Sequence, residues 1–255
     1  MSAFFSLENT ADSKLFEQAC TMVLGNHIRD NGIGTLGEKS IHAVLKYYFS
    51  PDADTHERSI GDNVADIIGE DGVMEIQTRQ FRRLNTKLAQ LLPLCPVTVI
   101  YPVISRKKIL WFSPESGELL RTGPTRIYQK RESVFSELYQ IRNYIAHPNF
   151  RLYVVELEAE DDRLTDGYGD GRRRRATRID RIPTRLCSVY HFVKPQDYAC
   201  FLPETLPPEF TTADYAKITK INQKIAQDTL RVLSLLGLIQ IVRKEGRRNV
   251  FCVVI

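Results

Sequence analysis

Acidic and amide side chains interrupt two short apolar segments in the first third of the chain. Asp66 lies in the first segment, and Glu75 and Gln77 lie two residues apart in the second. A carboxylate among buried apolar residues is costly unless it is hydrogen-bonded, paired or bound to a metal ion. Carboxylate oxygens are ligands of hard divalent cations, which stabilise the negative charge that develops when a phosphodiester is hydrolysed. These residues therefore predict a site for Mg²⁺ or Mn²⁺, and a salt bridge with a nearby arginine is the alternative role of the two acids.

The elements that must position these residues are short strands. Residues 64–68 and 73–77 have the composition of β-strands, and the turn at residues 69–72, with a glycine at each end, predicts a hairpin. Alternate residues of a strand project to the same face. We therefore expect the two polar residues of the second strand to face a cleft that they share with Asp66.

A predicted helix at residues 36–49 carries two further candidates. Glu38 and His42 are four residues apart and hence lie on the same face of this helix. Glu38 is a third acid that would complete the metal shell through water or a second ion. His42 is either a packed, hydrogen-bonded histidine or a further site residue.

The remaining pattern is that of an α/β protein with a mixed sheet flanked by helices. Apolar residues at three- and four-residue spacing predict helices, and short apolar runs predict strands. A glycine-rich segment with four consecutive arginines, residues 161–177, has the composition of a mobile basic loop that is either a solvated insertion or an arm that grips phosphate. We expect no fold element there. The other predicted helices are residues 12–24, 79–92 and 132–146, and the other predicted strands are residues 56–60, 96–103, 108–112 and 152–157.

The order of these elements resembles the PD-(D/E)xK nuclease superfamily over residues 34–113. The resemblance implies a restriction-endonuclease-like core in which Asp66 and Glu75 hold Mg²⁺ and Glu38 is the acidic residue of the first core helix. Gln77 stands where these enzymes usually have a lysine. A lysine helps to deprotonate water or to neutralise developing negative charge, whereas glutamine only orients the water. The resemblance therefore implies either an enzyme that acts through these four residues or a catalytically inactive relative.

The last fifth of the chain has the pattern of two helices followed by a basic hairpin. Thr211 and Asp214 have the spacing of a capping box at the start of the first helix. The longer second helix is predicted at residues 222–236, and a glycine suited to a left-handed C-cap follows it. Two apolar strands, residues 238–242 and 250–254, flank a basic turn.

This order resembles a winged helix-turn-helix domain, which we place at residues 204–255 after a proline-rich segment. In that family the second helix enters the major groove of DNA and the wing touches phosphate, although the fold also serves as a protein–protein module. Asp228 is expected on the outward face of the second helix. The residues that the resemblance implies as DNA contacts are Gln223, Lys224, Gln227, Arg231, Lys244, Arg247 and Arg248.

Charge is distributed unevenly along the 255 residues. Residues 1–103 hold 9 basic and 13 acidic residues, a net charge of −4, whereas residues 104–185 hold 17 and 12 and residues 204–255 hold 8 and 5. A basic surface is typical of a polyanion-binding protein, so DNA is the expected partner. The sequence is also compatible with a homodimer. We place a nuclease-like domain at residues 1–195, with its core at about residues 34–157.

Composition excludes several other classes of protein. No apolar run approaches the roughly 20 residues that a membrane-spanning helix needs, and the N-terminal residues lack the basic start of a secretory signal. The five cysteines are odd in number and form no C-x-x-C pair, so neither a disulfide framework nor a zinc knuckle is indicated. We expect a cytoplasmic protein without a membrane partner.

Together these patterns predict a DNA-binding, divalent-metal-dependent phosphodiesterase of the endonuclease type. The alternative is a winged-helix DNA-binding regulator whose nuclease-like domain has lost catalysis, an alternative that Gln77 favours. A third interpretation is a protein-interaction adaptor, which would have no affinity for DNA. Cleavage of a plasmid with Mg²⁺ or Mn²⁺, but not with a chelator, separates the first hypothesis from the others.

Overall fold

The structure is a computed structural model that describes residues 9–25, 40–167 and 176–254. It has the predicted α/β architecture: a mixed eight-stranded sheet carries helices on both faces, and three antiparallel strands form a second sheet near the C-terminal end. Glu38 and the arginine run at residues 172–175 lie outside the described residues. Within the described ranges no helix is long and apolar enough to cross a membrane.

The large sheet combines antiparallel and parallel strand pairs. Its strands are β1 (His56–Ile60), β2 (Asn63–Gly69), β3 (Gly72–Ile76), β4 (Val97–Phe112), β5 (Leu119–Thr122), β6 (Arg126–Ile127), β7 (Phe150–Leu164) and β8 (Thr177–Phe192). The path through the sheet is β1-β2-β3-β4-β7-β8, and β5 and β6 pair with β4. β4 pairs in parallel with β3 and β7, whereas the other pairs are antiparallel.

The alternation of side chains along β4 divides the core into two hydrophobic clusters, one on each face of the sheet. Val99 contributes to one cluster and Ile100 to the other. The helices that cover the sheet are α1 (Ser13–Leu24), α2 (Ser40–Phe49), α3 (Asn85–Leu91) and α4 (Val134–Leu138). α1 and α2 pack on the Ile100 side, and α3 and α4 pack on the Val99 side. Side chains from α2 and α3 therefore approach the sheet from opposite faces.

Gly72 begins β3 where this strand enters the sheet beside β4. Its φ is +113°, and a Cβ atom at this position would lie 2.3 Å from the carbonyl oxygen of Pro96. Only glycine fits both the backbone angle and the space. The N–H of Val73 donates to the same carbonyl at 3.0 Å. This close approach holds the strand that carries Glu75 against the centre of the sheet.

Two predicted helices are divided into a short α-helix and 3-10 segments, although their apolar periodicity is continuous. The helix predicted at residues 79–92 starts only after Gln80, whose left-handed backbone (φ +61°) separates it from β3. A short 3-10 helix, Phe81–Leu84, then leads into α3. The helix predicted at residues 132–146 is reduced to α4 between two short 3-10 segments. Periodicity reports which side chains are buried, and it does not report which backbone hydrogen bonds close each turn.

The strand predictions are incomplete in the second half of the sheet. The two neighbouring strands expected at residues 96–103 and 108–112 are the single continuous strand β4. The prediction of a mobile loop at residues 161–177 is wrong at both ends, because β7 continues to Leu164 and β8 begins at Thr177. The pattern analysis does not anticipate β8.

Ion pairs between strands explain why this charged segment forms regular structure. Asp161 is fully buried and pairs with Arg181 at 2.5 Å and with Lys107 at 3.0 Å on the adjacent strands. Burial alone would raise the pKa of Asp161, but the bonds from Arg181 and Lys107 lower it to about 2. A buried charge is tolerated when it is paired and hydrogen-bonded in this way. A linear pattern does not reveal these partners, which lie 20 and 54 residues away in the chain.

The C-terminal part consists of β9 (Phe210–Thr211), α5 (Thr212–Thr219), α6 (Gln223–Leu235), β10 (Ile239–Glu245) and β11 (Arg248–Val253). The strands pair in the order β10-β11-β9. The predicted capping box is confirmed, because the N–H of Asp214 donates to Oγ1 of Thr211 at 3.3 Å and the N–H of Thr211 donates to Oδ2 of Asp214 at 2.8 Å. The basic turn is shorter than predicted, since β10 and β11 extend into it.

α6 packs against α4, so the C-terminal part and the large sheet share one hydrophobic cluster. Asp228, which was expected on the outward face of this helix, is 1% exposed and accepts from Oγ of Ser136 at 2.9 Å. The expectation for Asp228 is wrong because α6 has a second buried face. The hydroxyl of Tyr215 also donates to the carbonyl of Phe201 at 2.8 Å and joins the two parts.

Candidate active site

The hairpin of β2 and β3 separates at Asp66. The paired register of the two strands ends with Ile67 opposite Met74, although Asp66 and Glu75 come next on them. The N–H of Ile76 donates to Oδ2 of Asp66 at 2.7 Å. A side-chain carboxylate thus accepts from a strand N–H where the ladder would continue. The carboxylate of Asp66 therefore lies at the opening between β2 and β3.

His42 on α2 approaches the same carboxylate. Its Nε2 lies 3.2 Å from Oδ2 of Asp66. Burial alone would raise the pKa of Asp66, but the hydrogen bonds from His42 and Ile76 and the charge of Lys87 lower it below its ordinary range. Because Asp66 is ionised near neutral pH, Nε2 of His42 carries the proton in this contact.

Glu75 on β3 is more deeply buried, with 5% of its surface exposed. The ammonium of Lys87 on α3 donates to Oε2 of Glu75 and to the carbonyl of Val64, each at 2.7 Å. Oε1 of Glu75 is buried and has no hydrogen bond of normal geometry from the described residues. Burial raises the pKa of Glu75 to about 7, and the negative charge of Asp66 adds to this rise, whereas the ion pair with Lys87 offsets only part of it.

The two acids are coupled electrostatically, but their basic partners lie on opposite faces of the sheet. His42 reaches Asp66 from α2, and Lys87 reaches Glu75 from α3. This arrangement differs from the expectation that both carboxylates open side by side into one cleft. The irregularity of β2 is the physical reason, because Ala65 packs in the cluster beneath α3 and Ile67 packs in the cluster beneath α2. Strict alternation would place them on the same face.

Gln77 lies just beyond β3 and is turned away from the acids. Its backbone N–H donates to the carbonyl of Ile100 at 2.9 Å, and its side-chain amide donates to the carbonyl of Arg79 at 2.5 Å. Among the described residues it makes no hydrogen bond to Asp66 or Glu75. No three His, Cys, Asp or Glu side chains in that part of the chain converge as a metal-binding group. Glu38, the predicted third acid, lies outside it.

Lys87 is the site residue that the pattern analysis missed. It belongs to a predicted helix whose apolar stripe includes Leu84, Leu88 and Leu91, all of which are buried. Its position next to that stripe is the one signal in the sequence that its stem is partly buried. The stem of a lysine packs along apolar surface while the ammonium reaches a polar partner. Only the tertiary structure identifies that partner as Glu75.

A third acid, Glu57, lies on β1 opposite Asp66 of β2. The register pairs the residues on either side of Glu57 with those on either side of Asp66. Glu57 has a positive φ of 49°, which is uncommon for a residue with a side chain. The ammonium of Lys46, one helical turn after His42 on α2, donates to Oε1 of Glu57 at 2.8 Å. Acids on three neighbouring strands thus each have a basic partner on a helix.

The residues predicted to contact DNA fall into two exposed groups. Gln223, Lys224, Gln227 and Arg231 share the exposed strip of α6. Two of them are already engaged, because Lys224 and Arg231 lie 2.9 Å and 3.7 Å from the carboxylate of Asp228. The second group is exposed on the β10–β11 hairpin and consists of Lys244, Arg247 and Arg248.

Comparisons with known proteins place the chain in a family. The profile of the family described as domain of unknown function (DUF8091) matches residues 39–193, which is more than half of the chain and includes Asp66, Glu75 and Lys87. The chain is similar to an uncharacterised protein of Treponema pallidum (strain Nichols), with 29% identity over 227 residues that cover 86% of each chain. No solved structure matches it. On the extent of the profile match, this chain belongs to the family of the domain of unknown function DUF8091.

Proposed function

We propose that this protein is a divalent-metal-dependent phosphodiesterase that hydrolyses the backbone of nucleic acids. The observation that carries the proposal is the coupled pair of buried acids at the opening between β2 and β3. Asp66 is ionised, and its charge helps to raise the pKa of Glu75 to about 7. Perturbed, mutually coupled carboxylates next to a cleft are typical of functional sites.

The donor atoms fit a hard divalent cation. Oε1 of Glu75 is a buried carboxylate oxygen without a normal hydrogen bond from the part of the chain that the structure describes, and Asp66 offers an ionised carboxylate on the neighbouring strand. These two residues would hold Mg²⁺ or Mn²⁺, with Glu38 as the third acid that the sequence suggests. The bound ion would stabilise phosphate charge and lower the pKa of bound water.

The chain's own residues supply the rest of the chemistry. Lys87 places a fixed positive charge beside Glu75, which is the role that a lysine at position 77 would have, so it compensates for Gln77. A positive charge held in place stabilises developing negative charge on phosphate without reorganisation. His42 orients Asp66 through the hydrogen bond at 3.2 Å. Gln77 orients water only if its amide leaves the carbonyl of Arg79.

The order of elements supports the same proposal at the level of the fold. A helix, an antiparallel β1-β2-β3 meander and a parallel β4 are the arrangement expected of a restriction-endonuclease-like core. The order β9-α5-α6-β10-β11 is the one expected of a winged helix. We propose that this C-terminal part contacts DNA through the strip of α6 and the β10–β11 hairpin, with the following residues: Gln223, Lys224, Gln227, Arg231, Lys244, Arg247 and Arg248.

Cleavage of plasmid DNA and of circular single-stranded DNA by the pure full-length protein tests the proposal. Mg²⁺ or Mn²⁺ should support nicking that a chelator stops, and Asp66→Asn and Glu75→Gln should each reduce the rate by about 10²-fold or more. Lys87→Gln should reduce the rate while metal binding persists. Asp71→Asn, which changes an exposed acid in the β2–β3 turn, is the matched control and should cleave like the natural protein. Equal cleavage by the Asp66→Asn/Glu75→Gln double variant would refute the site.

A DNA-binding regulator with an inactive nuclease-like domain is the second candidate. It is favoured by the bond from the Gln77 amide to Arg79, and by the ion pair that occupies Oε2 of Glu75. In that case the same assay shows DNA binding with a steep salt dependence and no metal-dependent cut. Absence of any affinity for DNA at low salt would instead support a protein-interaction adaptor.

A further inference from the structure

A cleft of about 530 Å³ lies beside the candidate active site. His42, whose ring holds Asp66, forms part of its wall. The other walls come from β1, β4, α4 and β8 and from the residues that follow β3 and β6. The cleft is therefore connected to the Asp66 carboxylate through a single imidazole ring.

The carboxylates in the cleft are already bound to donors of the protein. Glu57 accepts from Lys46 at 2.8 Å, and Glu137 accepts from the N–H of Phe81 at 3.0 Å. Asp180 accepts from the hydroxyl of a serine at the start of α2. These acceptor oxygens are thus engaged within the fold, so the cleft is not built to attract a second cation.

Two arginines from different walls have guanidinium groups without partners among the described residues. Arg79 follows β3, Arg178 lies near the start of β8, and both are exposed. Neither guanidinium has a hydrogen bond or an ion pair within the described part of the chain, whereas Arg181 in the same cleft is bound to Asp161. A guanidinium presents five N–H donors in a planar fork that matches phosphate oxygens. The free N–H donors of these two arginines therefore suit an anion with several acceptor oxygens.

We infer that this cleft binds one nucleotide unit of a single-stranded nucleic acid. Arg79 and Arg178 bind the phosphates on the two sides of that nucleotide. The inference rests on the proposed function, because Asp66, which His42 of the cleft binds, defines the class of ligand. A volume of about 530 Å³ is that of a pocket for one small molecule. It is large enough for one nucleotide but does not hold the two paired strands of a duplex. The cleft thus selects a flexible, unpaired strand.

Binding of labelled oligonucleotides to the full chain, measured by fluorescence anisotropy in a chelator, tests this inference without cleavage. The probes are a single-stranded DNA, a single-stranded RNA and a duplex of the same sequence, at several salt concentrations. We expect Arg79→Ala/Arg178→Ala to bind the single strands about tenfold or more weakly. The slope of log affinity against log salt should become less steep by about 1.4, because each lost phosphate contact on a single strand contributes about 0.7. Duplex affinity should not change.

Arg121→Ala is the matched control, because it removes an exposed arginine that stacks on Trp111 outside the cleft. Arg79→Lys/Arg178→Lys keeps both charges and should recover part of the affinity. Single-strand affinity that is equal in the natural protein and the double alanine variant overturns the inference, as does an equal loss for single strand and duplex. If single strands bind through the two arginines but are never cut, the cleft stands and the proposed hydrolysis fails. If cutting occurs and the double alanine variant keeps its single-strand affinity, the proposed hydrolysis stands and the inference about the cleft fails.

Discussion

The charge state of Glu75 controls the candidate site at the residue scale. Its carboxylate is buried, one oxygen has no normal hydrogen bond from the described residues, and the negative charge of Asp66 acts on it. Lys87 offsets part of this electrostatic cost, but the pKa of Glu75 still rises to about 7. A proton on Glu75 competes with a divalent cation, so cation binding by this pair strengthens as the pH rises through 7.

Glu75 should make protein stability decrease as the pH rises from about 5 to 8, against the smaller opposite effect of His191, whose pKa burial lowers. The pKa of Glu75 is raised from 4.5 to about 7 on folding, so between these values the folded state binds more protons than the unfolded state. Stability then falls as the pH rises, by up to about 3 kcal/mol from this group. Asp66, whose pKa is lowered, acts in the opposite direction but only at pH values below its ordinary pKa of 3.8. Urea denaturation at a series of pH values measures the effect.

Glu75→Gln should abolish most of this pH dependence, since the amide does not titrate. Glu70→Gln, in the exposed turn of the same hairpin, is the control and should keep the slope of the natural protein. A slope in Glu75→Gln that is parallel to that of the natural protein would show that another group is responsible.

At the scale of elements, α6 packs against α4, whereas a helix that enters a DNA groove was expected to have a free outer face. One face of α6 packs within the C-terminal part, and the face that carries Asp228 packs on α4. Lys224 and Arg231 lie at the edge of this interface, and Arg231 also stacks over the ring of Tyr139 at 5.1 Å. The strip left for DNA is therefore narrow and dominated by Gln223 and Gln227.

Asp228→Ala should destabilise the protein by about 1–3 kcal/mol, because it removes the acceptor of the half-buried hydroxyl of Ser136. The denaturant midpoint of the full chain measures this change. Lys224→Ala removes only the exposed partner of the same carboxylate and should cost less than about 1 kcal/mol. If both substitutions have the same small effect, Asp228 does not hold α6 on α4.

At the scale of the whole molecule, one hydrophobic cluster extends from the large sheet into the C-terminal part. It includes Leu138 of α4, Phe201 before the proline-rich segment and Leu233 of α6. The boundary that we place at residue 204 therefore lies within a continuous core. Parts that share a core tend to unfold together.

Unfolding of the full chain should be a single cooperative transition. Trp111 on β4, the one tryptophan of the chain, reports the large sheet by fluorescence, and far-ultraviolet circular dichroism reports all helices and strands. The two urea curves should coincide, and deletion of residues 204–255 should lower the midpoint by exposing the apolar face of α4. Two separate transitions, or a truncated chain of unchanged stability, would show independent domains.

Local patterns anticipated much of this fold and part of the site. The hairpin that carries Asp66 and Glu75, the capping box at Thr211 and the glycine after α6 follow from contacts between near neighbours in sequence. The burial of Asp228 and the strands that replace the expected loop do not, because each depends on a partner that another element supplies. Composition alone therefore classified a charged strand as a loop.

The sequence by itself determined the α/β class, the presence of acids on two adjacent strands and the order of the C-terminal elements, because periodicity and turn chemistry are local properties. Only the tertiary structure decided that Lys87 pairs with Glu75, that His42 binds Asp66 from the opposite face, and that α6 is buried on two sides. These outcomes depend on how elements that are distant in the chain pack against one sheet. The energy of a buried charge is set by the partner that packing brings to it, and that partner is not encoded by spacing.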